Sequence, residues 1–322
     1  MLRDTAAMVL AAGLGTRLAP YTSNHPKPLL PLLDVPVLEL TLRRLVRSGL
    51  SRIVVNAFHH GDQVEAFLDR MRESLPQGIE LHVSREEILL GTGGGIARAR
   101  RFFDGLPLLV VNGDVLFELE VGQLLRRHAD CGGRATLLLH PGATPDAPRT
   151  TRVNPDGRVE AILPRGGGPE ACVFTGIYVM EPEVYRMLPE RFCSVVEEGL
   201  WPALRQSLPV FAEVADFPWF DLGTWSQVMG ALRQVLASRD DRFLLLKSLS
   251  PGQTTGRGAN AGYIGPSARV TAGARLGPGA ILSNGCTVGP RACVERSFLL
   301  PGSVVDGVLA HAVAGPGWTV GV

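Results

Sequence analysis

Lysine is almost absent from this chain. It occurs only at positions 27 and 247, so arginine supplies the other 30 of the 32 basic residues. A lysine at any given position is therefore improbable by composition. A position that keeps lysine is a candidate for a site that needs a compact, flexible point charge instead of a planar guanidinium. Lys27, which stands between two prolines, is a residue to explain.

The chain also lacks an excess of charge and long apolar runs. With 32 basic and 31 acidic residues, the formal net charge is only +1. No broad positive field is available to attract nucleic acid or an anionic membrane, so neither is expected as a partner. The N-terminal sequence shows no export signal, and no run approaches the roughly 18 apolar residues of a membrane span. A cytoplasmic protein is expected.

Cysteine and histidine patterns exclude two further classes. The five cysteines are odd in number and show no C-x-x-C spacing, which argues against a disulfide framework or a structural zinc site. Reduced thiols are expected. The seven histidines show no ligand spacing with cysteines or carboxylates, so structural or solvated roles are favoured over metal binding.

Short apolar runs alternate with amphipathic stretches over the first 140 residues. Runs such as "RIVVNA" and "PLLVVNGD" are typical of buried strands, and "GDQVEAFLDRMRESL" has helical spacing. The alternation predicts an α/β fold with a Rossmann-like, doubly wound, mainly parallel sheet. Ligands of such sheets bind at the carboxyl ends of the strands. Turn residues after position 140 predict antiparallel strands in a lid or insertion that covers the sheet.

A different period begins near residue 264. Aliphatic residues then recur six apart, at Ile264, Val270, Leu276, Leu282, Val288, Val294 and Leu300. A six-residue repeat is the signature of a parallel β-helix, here a short left-handed one, whose seven hexads make little more than two coils. We therefore predict an α/β domain at 1–237, a linker at 238–261 and a β-helix at 262–322.

The first strand leads into the loop "GLGTR", residues 13–17. Glycines allow backbone N–H groups to turn toward a ligand, and with Arg17 they make a nest for phosphate oxygens. Neither the P-loop pattern nor the dinucleotide pattern G-x-G-x-x-G is completed. A bare G-x-G is also a common structural turn, so the loop alone does not decide.

The wider pattern "LAAGLGTRL…PKPLLPL" resembles the nucleotide-sugar pyrophosphorylases, or sugar-1-phosphate nucleotidyltransferases. "EEILLGTGGGI", "VVNGDVL", "VFTGIYVM" and "WFDLGTW" follow in the order of that family, over about the first 235 residues. The resemblance implies an enzyme that joins a nucleoside triphosphate to a sugar 1-phosphate and releases pyrophosphate. It implies Mg²⁺ as the cofactor.

The resemblance also implies site residues. Arg17, Lys27, Asp114 and Asp221 would be catalytic, and the two aspartates would hold Mg²⁺. Without the resemblance, Asp221 could equally be a helix cap, and the 91–95 glycines a plain helix entry. The nucleotide would be bound by Leu10, Ala11, Ala12, Gly13, Gly15, Thr16, Arg17, Gly91, Thr92 and Gly93. The sugar phosphate would be bound by Lys27, Asn112, Arg165, Thr175 and Gly176.

The base and the sugar stay open at this stage. The form G-T-G-G-G resembles guanylyl- and uridylyltransferases of the mannose, heptose and muramate type, which favours guanylyl transfer to mannose 1-phosphate or a related sugar. Uridylyl or thymidylyl transfer is the alternative. Two departures from the family pattern bear on the sugar: Pro164-Arg165 replaces a Glu-Lys pair, and Phe174 replaces an asparagine.

Two hypotheses of other classes remain. A non-catalytic relative would bind a nucleotide sugar and regulate a partner, but such a sensor could lose the metal ligands kept here. An acyltransferase could use His311 in the β-helix, although such sites usually need more coils. The tail more simply predicts a homo-oligomer, since the open end of a β-helix exposes unpaired strands.

Overall fold

The protein forms two compact units in its computed structural model, which describes residues 5–142, 149–164, 171–239 and 241–322. One unit consists of Met1–Leu14 and Thr41–Trp219, and the other of Gly15–Leu40 and Phe220–Val322. Within the described residues, no helix combines the length and the apolar character needed to cross a bilayer.

The elements follow in chain order. The strands are β1 (Ala6–Leu10), β2 (Pro31–Leu32), β3 (Val35–Pro36), β4 (Arg52–Ala57), β5 (Glu80–Arg85), β6 (Leu108–Asn112), β7 (Val115–Phe117), β8 (Ala135–His140), β9 (Arg149–Val153), β10 (Val159–Pro164), β11 (Cys172–Met180), β12 (Val210–Val214), β13 (Trp219–Asp221), β14 (Gln253–Thr255), β15 (Gly262–Ile264), β16 (Arg269–Val270), β17 (Arg275–Leu276), β18 (Ile281–Leu282), β19 (Thr287–Val288), β20 (Cys293–Glu295), β21 (Phe298–Leu299), β22 (Val304–Val305), β23 (Val308–Ala310), β24 (Ala312–Gly315) and β25 (Trp318–Gly321). The α-helices are α1 (Val37–Arg47), α2 (Gly61–Ser74), α3 (Gly91–Ala99), α4 (Val121–Cys131), α5 (Pro182–Tyr185), α6 (Trp201–Arg205), α7 (Trp225–Ala237) and α8 (Leu244–Leu249).

The first unit is built on one large sheet, with strand order β10-β9-β11-β6-β1-β4-β5, β8 on β11 and β12 on β8. Strands β6, β1, β4 and β5 are mutually parallel, and β11 runs antiparallel to β6. This confirms the predicted Rossmann-like fold with its parallel strands, although the sheet as a whole is mixed, because β8, β9 and β6 all run antiparallel to β11. The carboxyl ends of β1, β4 and β6 therefore meet at one edge.

Continuous burial explains the central strands. Met8, Val54 and Val110 are fully buried and belong to one core cluster with Tyr178. A strand that is covered on both faces reads as an uninterrupted apolar run, and each buried large side chain contributes about 1.5–3 kcal/mol. The loops that leave these strands thus start from a firmly packed edge.

The prediction that the strands after position 140 cover the sheet as a lid is wrong. Strands β9 and β10 pair antiparallel, as expected, but β9 also pairs with β11 through Cys172 and Val173. The hairpin therefore extends the edge of the main sheet. The expectation failed because turn residues locate a hairpin but do not say whether it stacks on a sheet or adds to its edge.

The second unit contains the β-helix. Three parallel ladders form its sides, namely β15-β18-β21-β24, β16-β19-β22 and β17-β20-β23. Four strand levels on one side exceed the two coils that the hexads predict. The hexad count missed them because the strict period ends: Leu299, not Leu300, lies in register with Leu282, and Val313 then lies opposite Phe298. The left-handed sense stays a prediction.

Asp34 joins the β2–β3 turn to the β-helix within the second unit. Its carboxylate accepts a hydrogen bond from the Tyr263 hydroxyl at 2.9 Å and one from the Asn284 backbone N–H at 2.7 Å. Bonds to a charged acceptor are among the stronger ones in proteins. The segment predicted as a linker holds α8 and β14, and the domain boundaries stay a prediction.

Candidate active site

Residues 11–17, which we call the phosphate loop after their predicted role, begin in the first unit beside the turn Asn112-Gly113-Asp114. Leu10 ends β1 and lies in register with Asn112 at the end of β6. The Leu10 carbonyl accepts the Gly113 N–H at 2.9 Å, and a Cβ on Gly113 would lie 2.6 Å from that oxygen. Gly113 thus permits the two strand ends to close together, and Asp114 follows directly.

Gly13 stands open to solvent at the tip of this loop. Ala11 and Ala12 are buried, whereas Gly13 is exposed and a Cβ there would meet no heavy atom within 4 Å. Packing therefore does not require glycine at position 13. Close approach of a ligand to the backbone would require it.

We expect Gly13→Ala to weaken binding of the nucleoside triphosphate about tenfold or more without destabilising the fold, because the methyl group fills only the space next to the loop backbone. Calorimetric titration with the triphosphate checks the affinity, and thermal unfolding checks the fold. Gly230→Ala in α7 is a matched control, since a Cβ there also meets nothing within 4 Å. Equal nucleotide affinity in the two variants would remove Gly13 from the site.

Asn112, Thr175 and Gly176 come together beside β6. Gly176 has φ +78° and sits under the Asn112 amide, which a Cβ on Gly176 would strike. The Thr175 hydroxyl donates to the Leu138 carbonyl at 2.6 Å, and the Thr175 backbone carbonyl accepts the Trp219 indole N–H at 3.0 Å. The Thr175 side chain is thus engaged within the sheet, and its role with the sugar phosphate stays a prediction.

The glycines at the start of α3 are packed against the chain itself. A Cβ on Gly91 would lie 2.6 Å from the Cys193 carbonyl oxygen, and one on Gly93 would lie 2.7 Å from the Cys193 sulfur. The Gly93 N–H donates to that carbonyl at 2.9 Å, and the Thr92 hydroxyl accepts the Val195 N–H at 2.9 Å. Close packing of segment 191–195 therefore accounts for these glycines, and their contact with a nucleobase stays a prediction.

Lys27 packs on Gly15 in the second unit. Gly15 has φ +63°, and a Cβ there would lie 2.9 Å from both the Lys27 Cβ and the Thr22 Cγ2. Lys27 begins a short 3₁₀ helix, Lys27–Leu29, and is only 8% exposed. The aliphatic stem of Lys27 is therefore buried, and a proline flanks the residue on each side. A solvated surface lysine would be far more exposed.

Arg17 and Asp221 approach each other around Gly223. A Cβ on Gly223 would lie 2.6 Å from the Arg17 Nη2 and 3.0 Å from the Asp221 Oδ1. Thr224 caps α7, since its hydroxyl accepts the Gln227 N–H at 3.3 Å. Asp221 is therefore not the cap of that helix, which leaves its carboxylate beside the Arg17 guanidinium.

Comparison with known proteins identifies the family. The family model described as nucleotidyl transferase matches residues 6–238, more than half of the chain. The chain belongs to the nucleotidyl transferase family. It is 30% identical to a Drosophila melanogaster protein named mannose-1-phosphate guanylyltransferase catalytic subunit beta, over 94% of this chain and 80% of that one. It is 29% identical to a Synechocystis UTP–glucose-1-phosphate uridylyltransferase, over 84% and 76%.

Solved structures support the fold. HddC from Yersinia pseudotuberculosis, crystallised with GMP-PN, has a TM-score of 0.58 at 22% identity and covers 71% of this chain and 98% of its own. A Bacillus anthracis protein crystallised with sucrose has a TM-score of 0.63 at 18% identity, over 80% and 99%. At these identities the likeness concerns the nucleotidyl transferase fold.

Two departures from the family pattern can be placed only in part. Arg165 lies outside the described residues, and Pro164 ends β10. Phe174 is partly buried, with its ring centroid 5.5 Å from that of Tyr178. An aromatic side chain at position 174 thus packs against the core of the first unit, at the position where the resemblance implies an asparagine.

Sequence reasoning missed two buried polar residues of the first unit, Asn56 and Glu86. Asn56 lies near the end of β4 in "RIVVNA", which predicts only a strand, and Glu86 opens the motif "EEILLGTGGGI" without a role. Both are almost fully buried, and burial raises the pKa of the Glu86 carboxyl above its ordinary value. The signal was a polar residue at the end of an apolar run, but its partners are distant in sequence.

Proposed function

We propose that the protein is a sugar-1-phosphate nucleotidyltransferase that transfers a guanylyl group to mannose 1-phosphate or a related sugar 1-phosphate. One observation carries the catalytic part of this proposal. Lys27 is buried, and its stem crosses Gly15, two residues from Arg17 in the family's phosphate loop. Two cations on one short segment suit a substrate with several phosphate charges.

In the proposed reaction an oxygen of the sugar phosphate attacks the α-phosphorus of the triphosphate. A new phosphorus–oxygen bond forms, the bond to the β-phosphate breaks, and pyrophosphate leaves with the electron pair. Arg17 would balance the charge of the departing pyrophosphate, and Lys27 that of the α-phosphate. Positioning and charge neutralisation supply the catalysis, so no covalent intermediate with the enzyme is needed.

The cofactor of this proposal is Mg²⁺. Asp114 and Asp221 offer hard carboxylate oxygens, which fit that ion. In the described part of the chain, no group of three or more histidine, cysteine, aspartate or glutamate side chains is arranged so that it could hold a metal ion. Mg²⁺ usually takes only one or two protein carboxylates, so a pair is a sufficient donor set. When bound, the ion would neutralise phosphate oxygens.

Relatives support the choice of base and sugar. A Mycobacterium tuberculosis protein named mannose-1-phosphate guanylyltransferase is 31% identical over 68% of this chain and 61% of that one. The Drosophila relative carries the same activity in its name. The Synechocystis uridylyltransferase makes uridylyl transfer the alternative.

Pyrophosphate release with Mg²⁺, each nucleoside triphosphate and a panel of sugar 1-phosphates tests the proposal. We expect the highest kcat/KM with GTP and mannose 1-phosphate. A preference for UTP would favour the uridylyl alternative. Silence across the panel, with the triphosphates still bound, would instead favour a non-catalytic nucleotide-sugar sensor.

Exposed residues of the β-helix support the proposal that the protein forms a homo-oligomer. Val304 and Val308 are 73% and 81% exposed on its strands β22 and β23. Exposed aliphatic residues on a repeat surface are suited to contact with another subunit. Sedimentation velocity at micromolar concentration tests this, and a monomer would contradict it.

The proposed location is the cytoplasm. All five cysteines are free thiols, which fits a reducing compartment.

A further inference from the structure

Three hydrogen bonds in the first unit connect two loops through Asn56 and Glu86. The Ala11 N–H donates to the Asn56 Oδ1 at 2.7 Å, and the Asn56 Nδ2 donates to the Glu86 Oε1 at 2.7 Å. The Leu90 N–H donates to the Glu86 Oε2 at 3.0 Å. Ala11 belongs to the phosphate loop, and Leu90 is the residue before Gly91 at the start of α3.

Both side chains are sealed from solvent. Asn56 is 1% exposed and Glu86 is 3% exposed. Gly95 leaves room for them, since a Cβ there would lie 2.7 Å from the Asn56 Nδ2 and 2.8 Å from the Glu86 Oε1. The Glu86 N–H also donates to the Ala57 carbonyl at 2.8 Å, so backbone and side chain are both fixed. Water is therefore poorly placed to replace any lost bond.

The chain of bonds has a fixed donor order. The backbone N–H groups of Ala11 and Leu90 are the donors at the two ends of the chain of bonds. The side chains of Asn56 and Glu86 must therefore offer an acceptor to each of these N–H groups, and one of the two side chains must donate to the other. Reversing the Asn56 amide would direct its N–H groups at the Ala11 N–H. Asparagine beside glutamate satisfies the order, whereas two ionised carboxylates or two amides do not.

We propose that Asn56 and Glu86 are positioning residues, which hold the phosphate loop and the loop that opens α3 at the separation that the nucleoside triphosphate requires. This rests on the proposed function, in which Gly13 binds one end of that nucleotide and Gly91, Thr92 and Gly93 bind the other. Neither side chain touches the substrate in this proposal. Their effect is on nucleotide affinity, and the sugar 1-phosphate is bound by other residues.

Reciprocal exchange of the two residues tests the proposal. Asn56→Asp places two carboxylates together, and Glu86→Gln leaves an amide donor facing another donor. We expect each single variant to raise the KM for the triphosphate about tenfold to a hundredfold, while the KM for the sugar 1-phosphate changes less than about threefold.

In the double variant, Asn56→Asp with Glu86→Gln, the amide and the carboxylate have exchanged positions, so every donor again faces an acceptor. The amide introduced at position 86 can donate to the carboxylate introduced at position 56, and its oxygen can accept the Leu90 N–H. The same carboxylate can still accept the Ala11 N–H. We therefore expect the nucleotide KM of the double variant to return to within about threefold of wild type.

Tyr185→Phe is the matched control for a lost buried hydrogen bond. The Tyr185 hydroxyl is buried in the same unit and donates to the Leu106 carbonyl at 3.1 Å. This variant should lose thermal stability but keep both KM values. Should a single variant fail to fold, Gly95→Ala serves in its place, because its methyl group presses only on the side chains of Asn56 and Glu86. It should raise the nucleotide KM alone.

The outcomes separate the two proposals. A wild-type protein that releases no pyrophosphate contradicts the proposed function, and triphosphate affinity measured by calorimetry then still tests Asn56 and Glu86. With an active wild type, the inference is overturned if both KM values rise equally. It is also overturned if the folded double variant is no better than the worse single variant.

Discussion

Lys27→Ala is expected to lower turnover about a thousandfold while the protein stays folded, because a preorganised charge at a reacting phosphate cannot be replaced by water without loss of transition-state stabilisation. The lysine is 8% exposed and its stem lies against Gly15. Its charge is thus already held in place before the substrate binds. Steady-state pyrophosphate release measures the effect, and thermal unfolding verifies the fold.

The chain provides its own control for this prediction. Lys247, the only other lysine, donates to the Ser238 carbonyl at 2.6 Å, and Lys247→Ala should leave turnover unchanged. Lys27→Met keeps the apolar stem and removes the charge, so it should be as inactive as Lys27→Ala. If Lys27→Met retains near-normal turnover, the stem and not the charge is what matters, and the proposed role of Lys27 fails.

Gly94→Ala should be the most destabilising of the substitutions considered, lowering the free energy of unfolding by about 3 kcal/mol. A Cβ at this position would overlap the carbonyl oxygen of Arg191 and lie 3.0 Å from the Leu90 Cβ. Since the overlapping atom is backbone, no rotamer change relieves the clash. Urea unfolding followed by circular dichroism measures the loss, and binding of the triphosphate should weaken in parallel.

Gly230→Ala again gives the comparison. It lies inside α7 with open space around its Cβ, and alanine is preferred to glycine in a helix by about 1 kcal/mol. This variant should be neutral or more stable than wild type. A Gly94→Ala protein that unfolds at the same urea concentration as wild type would contradict the packing account of the glycine-rich loop.

The parallel sheet could be predicted because its signal is local. Residues 52–57 form the strand that "RIVVNA" predicts, since burial on both faces selects a continuous apolar run. The placement of β9 and β10 could not be predicted. Whether a hairpin covers a sheet or extends it depends on which strand edge is free, and β11 offers its edge through Cys172 and Val173.

The candidate site divides in the same way. The phosphate loop, Lys27 and the two aspartates follow from motif order along the chain, and the resemblance they imply is confirmed at the level of the family. The motif order did not show why each individual position needs glycine. Gly13 faces open space, whereas Gly91 faces the Cys193 carbonyl, and no local pattern distinguishes the two.

By itself the sequence determined the class of protein: an α/β nucleotidyl transferase followed by a β-helix, with a lysine kept where almost every other basic residue is arginine. Strand burial, hexad period and motif order are local properties, so they can be read along one chain. Only the tertiary structure decided which residues support the loops. Asn56 and Glu86 are 30 residues apart, and the donor order that links them to Ala11 and Leu90 exists only once β4 and β5 lie side by side.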